Sequence, residues 1–242
     1  MTNVAHLHKK EGPRSVDHEL PPNPWTALPA RAPFVLPGDE DLVCVAEHLL
    51  TDQMPVPFNG ARDAAVVFLT LNPGGSSKPD VSAYYREQCR KRLTFETTVP
   101  FMTFDDEFAA TPGAEYWHAR MQRLIEAVGG RDVVRGKDIV RRNILVLQYF
   151  PYQSKTYKPL KATLPSQHFG FELCRKAIRD QRLIVFLRNR TLWTKAVSEL
   201  ASVHAVELRN PRSPYVTPKN IPGDGFDRIV TALTDATRRS RP

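Results

Sequence analysis

Three amide side chains sit where apolar runs of this sequence give way to polar residues. Asn72 follows Ala64–Leu71, Gln148 ends Ile144–Gln148, and Asn210 follows Val203–Leu208. Each amide offers both a hydrogen-bond donor and an acceptor. Asn72 opens the stretch Asn72-Pro73-Gly74-Gly75-Ser76-Ser77. Its glycines permit positive φ and close approach of the backbone to a ligand, and its serines add hydroxyls. Arg188 and Asn189 follow Leu183–Leu187, and Ser213 lies two residues beyond Pro211. In an open α/β sheet, ligands bind beyond the carboxyl ends of the strands, so these residues are expected to converge on one cleft. A plainer reading stands beside this one. Asn-Pro-Gly-Gly is also a tight turn, Asn72 and Asn210 also cap turns, and Gln148 also satisfies a strand-end backbone group.

Other chemistries lack their signatures. No Gly-x-Gly-x-x-Gly follows the first long apolar run, which disfavours a dinucleotide site. Gly74-Gly75-Ser76-Ser77-Lys78 lacks the first Gly of a phosphate loop at the required spacing and its Gly-Lys-Ser/Thr ending. Nucleophile-elbow and metal-ligand patterns are missing, and four of the seven His precede residue 50. Cys44, Cys89 and Cys174 lie far apart with no Cys-x-x-Cys pair, so reduced thiols are expected. No cofactor and no metal are expected.

The elements that would position these residues alternate between strand and helix. Ala64–Leu71 reads as a strand buried on both faces, and Ile144–Gln148, Leu183–Leu187 and the weaker Val203–Leu208 follow it. Helices are predicted from Gly38 to about Leu50 and from Pro79 to about Leu93. Another starts after the capping Thr111-Pro112 and ends at Gly129-Gly130, and others run from Ser166, over Leu192–Leu200, and from Phe226 to about Ala236. Thr94–Ala110 reads as a loop. The pattern predicts an α/β protein: a single domain over residues 41–242, with a central parallel sheet of about four strands flanked by helices. Residues 1–40 hold seven of the 21 prolines and read as an extended arm pinned by Trp25, Phe34 and Leu36.

Composition agrees with a soluble protein able to bury a core, at 41% hydrophobic and 25% charged residues in 242. No apolar run reaches the roughly 20 residues needed to span a bilayer, and the N-terminus lacks a signal-peptide stretch, so a cytoplasmic location is expected. The net charge is +8, and Arg131–Arg212 alone holds 17 Lys and Arg against 6 Asp and Glu. That surplus favours a polyanionic partner such as nucleic acid over a merely solvated surface. Lys155, Lys158, Arg188 and Arg212 are expected at the rim of the cleft.

In order and strand context, the motifs resemble those of the uracil-DNA glycosylase superfamily from about Ala64 to Asn220. Phe68-Leu69-Thr70-Leu71-Asn72-Pro73-Gly74 is similar to the Asn-Pro-Gly version of its first motif, found in the mismatch-specific and single-strand-selective branches. Ile144–Gln148 resembles the strand that ends in a base-reading amide, with Gln where Asn is usual. Asn210-Pro211-Arg212-Ser213-Pro214 resembles the last motif with Arg212 inserted. The resemblance implies a glycosylase that flips a damaged or modified base out of DNA and hydrolyses its N-glycosidic bond. It implies that Asn72 holds the attacking water, Gln148 reads the base edge and Asn210 donates to the departing base. Gly74 and Phe150 would contact the base, with Tyr84, Tyr85, Phe95 and Phe101 as other stacking candidates. Gly75, Ser76, Ser77, Lys155, Arg188, Arg212 and Ser213 would hold phosphates. DNA is the partner expected, with a monomer and no membrane. The departures at Gln148 and Arg212 carry an alternative, a nucleic-acid-binding protein without hydrolysis on the same fold. An enzyme acting on nucleotides or phosphorylated metabolites is a second alternative.

Overall fold

Val66–Thr70 is buried along its whole length because it lies at the centre of a five-stranded sheet. The computed structural model describes residues 19–76, 82–97 and 99–239. Ser77, Lys78 and the first 18 residues of the proline-rich segment therefore lie outside the described residues. In chain order the strands are β1 (Phe58–Gly60), β2 (Val66–Thr70), β3 (Ile144–Gln148), β4 (Leu183–Phe186) and β5 (Val206–Glu207). The helices are α1 (Glu40–Val43), α2 (Ala83–Leu93), α3 (Pro112–Gly129), α4 (Val133–Asn143), α5 (Gln167–Arg179), α6 (Arg190–Ala196) and α7 (Gly225–Arg239). The sheet runs β1-β3-β2-β4-β5. Four strands are parallel, and β1 is antiparallel to β3. The protein is thus α/β as expected, with β1 as an added edge strand.

Period-two alternation splits the core in two. Val67, Leu69, Leu145, Leu147, Ile184 and Phe186 point to one side, against Cys89 and Leu93 of α2, Phe171 and Cys174 of α5 and Trp193 of α6. Val66, Phe68, Ile144, Val146, Val185 and Leu187 point to the other, against Met121 and Leu124 of α3, Val140 of α4 and Ile229 of α7. Trp25, Leu28, Phe34, Val35 and Leu36 are buried in the first of these cores. The Tyr152 hydroxyl donates to the buried Asp39 carboxylate (2.7 Å) and accepts from Leu36 N (3.0 Å), which fixes that segment to the chain beyond β3.

Several boundaries differ from expectation. The helix predicted over 38–50 shrinks to α1. Asp39 gives its carboxylate to Tyr152 and Ser166 N, and Leu50 N donates to Gln153 O, so the chain leaves helical geometry. The described part of the second helix starts at Ala83, capped by Ser82. The helix predicted over 192–200 is α6 followed by a 3₁₀ turn at Ser198–Ala201. The stretch 94–110 holds two short 3₁₀ turns, at Met102–Phe104 and Asp106–Phe108. Strand pairing at β5 covers two residues only, and α4 is unanticipated. No helix among the described residues is long and apolar enough to cross a membrane.

Candidate functional site at the carboxyl edge of the sheet

Asn72 and Gln148 meet because β2 and β3 are parallel neighbours paired Thr70 to Gln148. The end of β2 is held from above: Trp193 Nε1 and Tyr149 N both donate to Thr70 O, at 2.7 and 3.1 Å. Past it, the turn 71–76 is laced to the chain after β3. Phe150 N donates to Leu71 O (2.7 Å), Ser154 N to Pro73 O (3.3 Å), and Gly75 N to Ser154 O (3.1 Å). Asn72 Nδ2 donates to Ser154 Oγ (3.0 Å) and Pro73 O (3.1 Å). Among the described residues nothing donates to Asn72 Oδ1, so the amide is oriented with its acceptor unused.

These residues line a cavity of about 850 Å³. Its floor is formed by Asn59 of β1, Gln148 of β3 and Thr70 of β2, which occupy one face of three adjacent strands. Tyr116 and Trp117 of α3, with Tyr85, Phe108 and Tyr157, supply aromatic walls. Burial holds the Tyr157 phenol above its ordinary pKa, so it is a neutral donor. Among the described residues Asp52 is the one acid in the lining, against Arg31, Arg86, Arg92, Lys155 and Arg188.

Buried polar atoms without partners single this cavity out. Of nine such side-chain atoms among the described residues, four belong to residues that line it: Asn59 Oδ1, Arg92 Nε, Gln148 Oε1 and Arg188 Nε. An unsatisfied buried polar group costs on the order of 1–3 kcal/mol, so it marks a place where stability gives way to something else. A larger depression, about 920 Å³, lies at the opposite edge of the sheet and has none of them. There the ions satisfy one another, as Arg182 with Asp180 and Arg142 with Asp138.

The sequence-predicted residues divide accordingly. Asn72, Gly74, Gly75, Ser76, Gln148, Lys155 and Arg188 line the cavity. Asn210, Arg212 and Ser213 do not. Asn210 Oδ1 accepts from Arg212 N (3.1 Å), and Asn220 ties the loop down by donating to Ser213 O and Tyr215 O, both at 3.0 Å. The loop reaches the cavity wall through Arg188 Nη2, which donates to Arg212 O (3.2 Å). Phe150 is buried against Tyr152 and Tyr157 and is not in the lining. Of the other stacking candidates, Tyr85 reaches the cavity, whereas Phe95 stacks on Phe58 and Phe101 packs against Trp117.

The turn itself corrects two expectations. Neither Gly74 nor Gly75 has positive φ. A Cβ on Gly75 would overlap Leu50 Cδ1, so this glycine serves packing within the chain. Its N–H is taken by Ser154 O, and Ser76 N donates to Gln53 Oε1 (3.2 Å), so neither amide is left to cradle a phosphate. Ser77 lies outside the described residues.

The basic surplus of 131–212 does not gather at the cleft either. Lys137, Arg141, Arg142, Arg175, Lys176, Arg182 and Arg190 pair with nearby acids, on helix faces and at the sheet's far edge. Lys155 and Arg188 reach the cavity, Lys158 does not, and Arg31, Arg86 and Arg92 join from outside that window. Sequence reasoning missed Asn59, Tyr116 and Tyr157. The Asn59-Gly60 dipeptide ordinarily signals a hairpin turn rather than a strand. Cys44, Cys89 and Cys174 are free, and no group of three or more His, Cys, Asp or Glu placed to hold a metal occurs among the described residues.

Fold and cavity together define an α/β protein with an amide-floored, aromatic-walled site at the carboxyl edge of its sheet. Compared with protein-family models, curated proteins and solved structures, the chain matches none.

Proposed function

We propose that this cavity takes a nucleobase flipped out of a DNA strand and that the protein is a glycosylase on the plan of the uracil-DNA glycosylase superfamily. The observation that carries the reading is the pairing of Asn72 and Gln148 in one cavity, each with an unused amide oxygen. Aromatic walls suit stacking on a flat heterocycle, and the cations of the lining suit the phosphates on either side of it. In the reaction, Asn72 Oδ1 accepts a hydrogen bond from water and aims its oxygen at the sugar C1′. The C1′–N bond breaks and its electron pair leaves with the base, the water oxygen forms the new C1′–O bond, and the water proton passes to solvent because an amide is too weak a base to keep it. Asn210 is spent on its own turn, so the charge of the departing base would be offset by a lining cation such as Arg188.

The test is single-turnover cleavage of oligonucleotides carrying uracil, hypoxanthine, xanthine or mismatched bases. Asn72→Ala should lower the rate about 100-fold or more while leaving binding nearly intact, because water placement matters mainly in the transition state. Equal loss of binding and rate would remove the role given to Asn72. A second reading, base binding without hydrolysis, is favoured by two observations. Asn210 is spent on its own turn, and no His or Glu lines the cavity among the described residues. Binding without cleavage of any tested base would select it.

A further inference from the structure

The cavity floor specifies more than a nucleobase. Across β1, β3 and β2 it presents Asn59, Gln148 and Thr70 in that order, on one face of the sheet. Asn59 is 3% exposed and Gln148 9%, and neither carboxamide oxygen has a partner. Asn59 Nδ2 is engaged, at 3.4 Å, by Thr103 Oγ1. Among the described residues the Gln148 amide has no partner at either end. Both oxygens are shielded from solvent, so engaging a ligand requires rotation about the terminal torsion of each side chain. That torsion is broad and low in cost. Asn59 lies diagonally across the β1–β3 pair from Gln148, at a spacing of about 7 Å between such Cβ atoms, within reach of one planar ring edge.

We infer that Asn59 is a second base-reading residue and that the site prefers a guanine-type base, whose edge carries a 2-amino group, an N1–H and O6 in sequence. The assignment rests on the nucleobase reading of the cavity. Asn59 Oδ1 accepts from the 2-amino group, Gln148 Oε1 accepts from N1–H, and O6 accepts from the Thr70 hydroxyl or Gln148 Nε2. Each buried oxygen thereby gains the donor it lacks. Uracil offers an oxygen, not a donor, to Asn59. Hypoxanthine offers a C–H there and otherwise matches guanine.

The probe is a five-nucleotide single strand in which one base is flanked by abasic positions, with binding read by fluorescence anisotropy. The central position is guanine, hypoxanthine, uracil or abasic. The wild-type protein should bind the guanine strand about tenfold tighter than the hypoxanthine strand, the effect of one hydrogen bond to an otherwise unsatisfied buried acceptor. Uracil should bind no better than hypoxanthine. Asn59→Ala should erase the guanine preference while leaving hypoxanthine affinity within about threefold. Guanine and hypoxanthine binding equally, both above the abasic strand, would overturn the inference and leave the nucleobase reading standing. So would an Asn59→Ala protein that weakens both strands alike. An abasic strand that binds as well as the other three would overturn both. The wild-type comparison needs no variant to fold.

Discussion

Gln148 is a residue whose side chain works against the stability of its own strand. It caps a fully buried strand with an amide that has no partner, where an apolar side chain of similar length would pack without that penalty. Gln148→Met should therefore hold or raise stability by about 1 kcal/mol in urea unfolding. In the strand-binding assay it should weaken the guanine and hypoxanthine strands alike, because both bases present N1–H and O6 to Gln148, and leave the preference set by Asn59 in place. A loss of more than about 2 kcal/mol would mean that the amide has a structural partner after all. Cys174 illustrates the opposite case, a group matched to its surroundings. Burial pushes its thiol up to about 12 from an ordinary 9.0, so the folded chain keeps the proton that the unfolded chain releases. Its contribution is present in full below pH 9 and is lost as pH rises from 9 to 12. Cys174→Ala should flatten that part of the urea-midpoint profile against pH. At pH 8, a thiol reagent should label Cys44 in the folded protein and reach Cys89 and Cys174 after unfolding.

At the scale of elements, the site depends on a three-residue strand. β1 places Asn59, and Gly60 lets β1 lie close against β3, with φ of 125° and no room for a Cβ beside the Ile144 carbonyl. Gly60→Ala combines a strained conformation with a clash against backbone, and should cost about 3 kcal/mol. Its signature in the assay should be loss of the guanine preference along with stability, because the strand carrying Asn59 is displaced. These elements also show what was legible in the sequence. β2, β3 and β4 were plain because a strand buried on both faces is a continuous apolar run, and the polar residue that stops it marks the site. β1 was not, because three residues following Pro55 and Pro57 give no period to count. α4 was hidden because its first residues, Val133 and Val134, are exposed and Gly136, a poor helix former, stands within it. Asn72 and Gln148 were found because they end long strands. Asn210 is grouped with them by the same strand-end position and by motif order, but it follows a strand that pairs over two residues only and its loop folds on Asn220, whose role no local pattern announced.

At the scale of the whole molecule, charge and function separate. Seven of the 17 Lys and Arg between 131 and 212 are held in ion pairs, each worth little at the surface, while the carboxyl edge gathers cations from distant parts of the chain. On the reading proposed above, three of the five lining cations, Arg31, Arg86, Arg92, Lys155 and Arg188, would meet phosphates while the others serve the base. Three such contacts give a log–log salt slope of about −2 on a single strand, or about a 20-fold loss of affinity between 50 and 200 mM salt. On a single strand a loss of about 10³-fold would require about seven or more contacts and a broader surface than this edge presents.

The tie between Tyr152 and the segment around Leu36 and Asp39 has a consequence for the order in which the protein comes into being. The partners are separated by 113 and 116 positions in the chain. At ribosomal rates of 5–20 residues per second, roughly 6–23 s pass between synthesis of one and synthesis of the other. Throughout that interval Trp25, Leu28, Phe34 and Leu36 have no sheet to cover, because β3 and the chain after it do not yet exist. The nascent polypeptide thus carries an early patch of bare aromatic and aliphatic surface. A holdase that shields such surfaces until residue 152 arrives would govern yield, and a ribosome stalled between the two would release an aggregation-prone fragment.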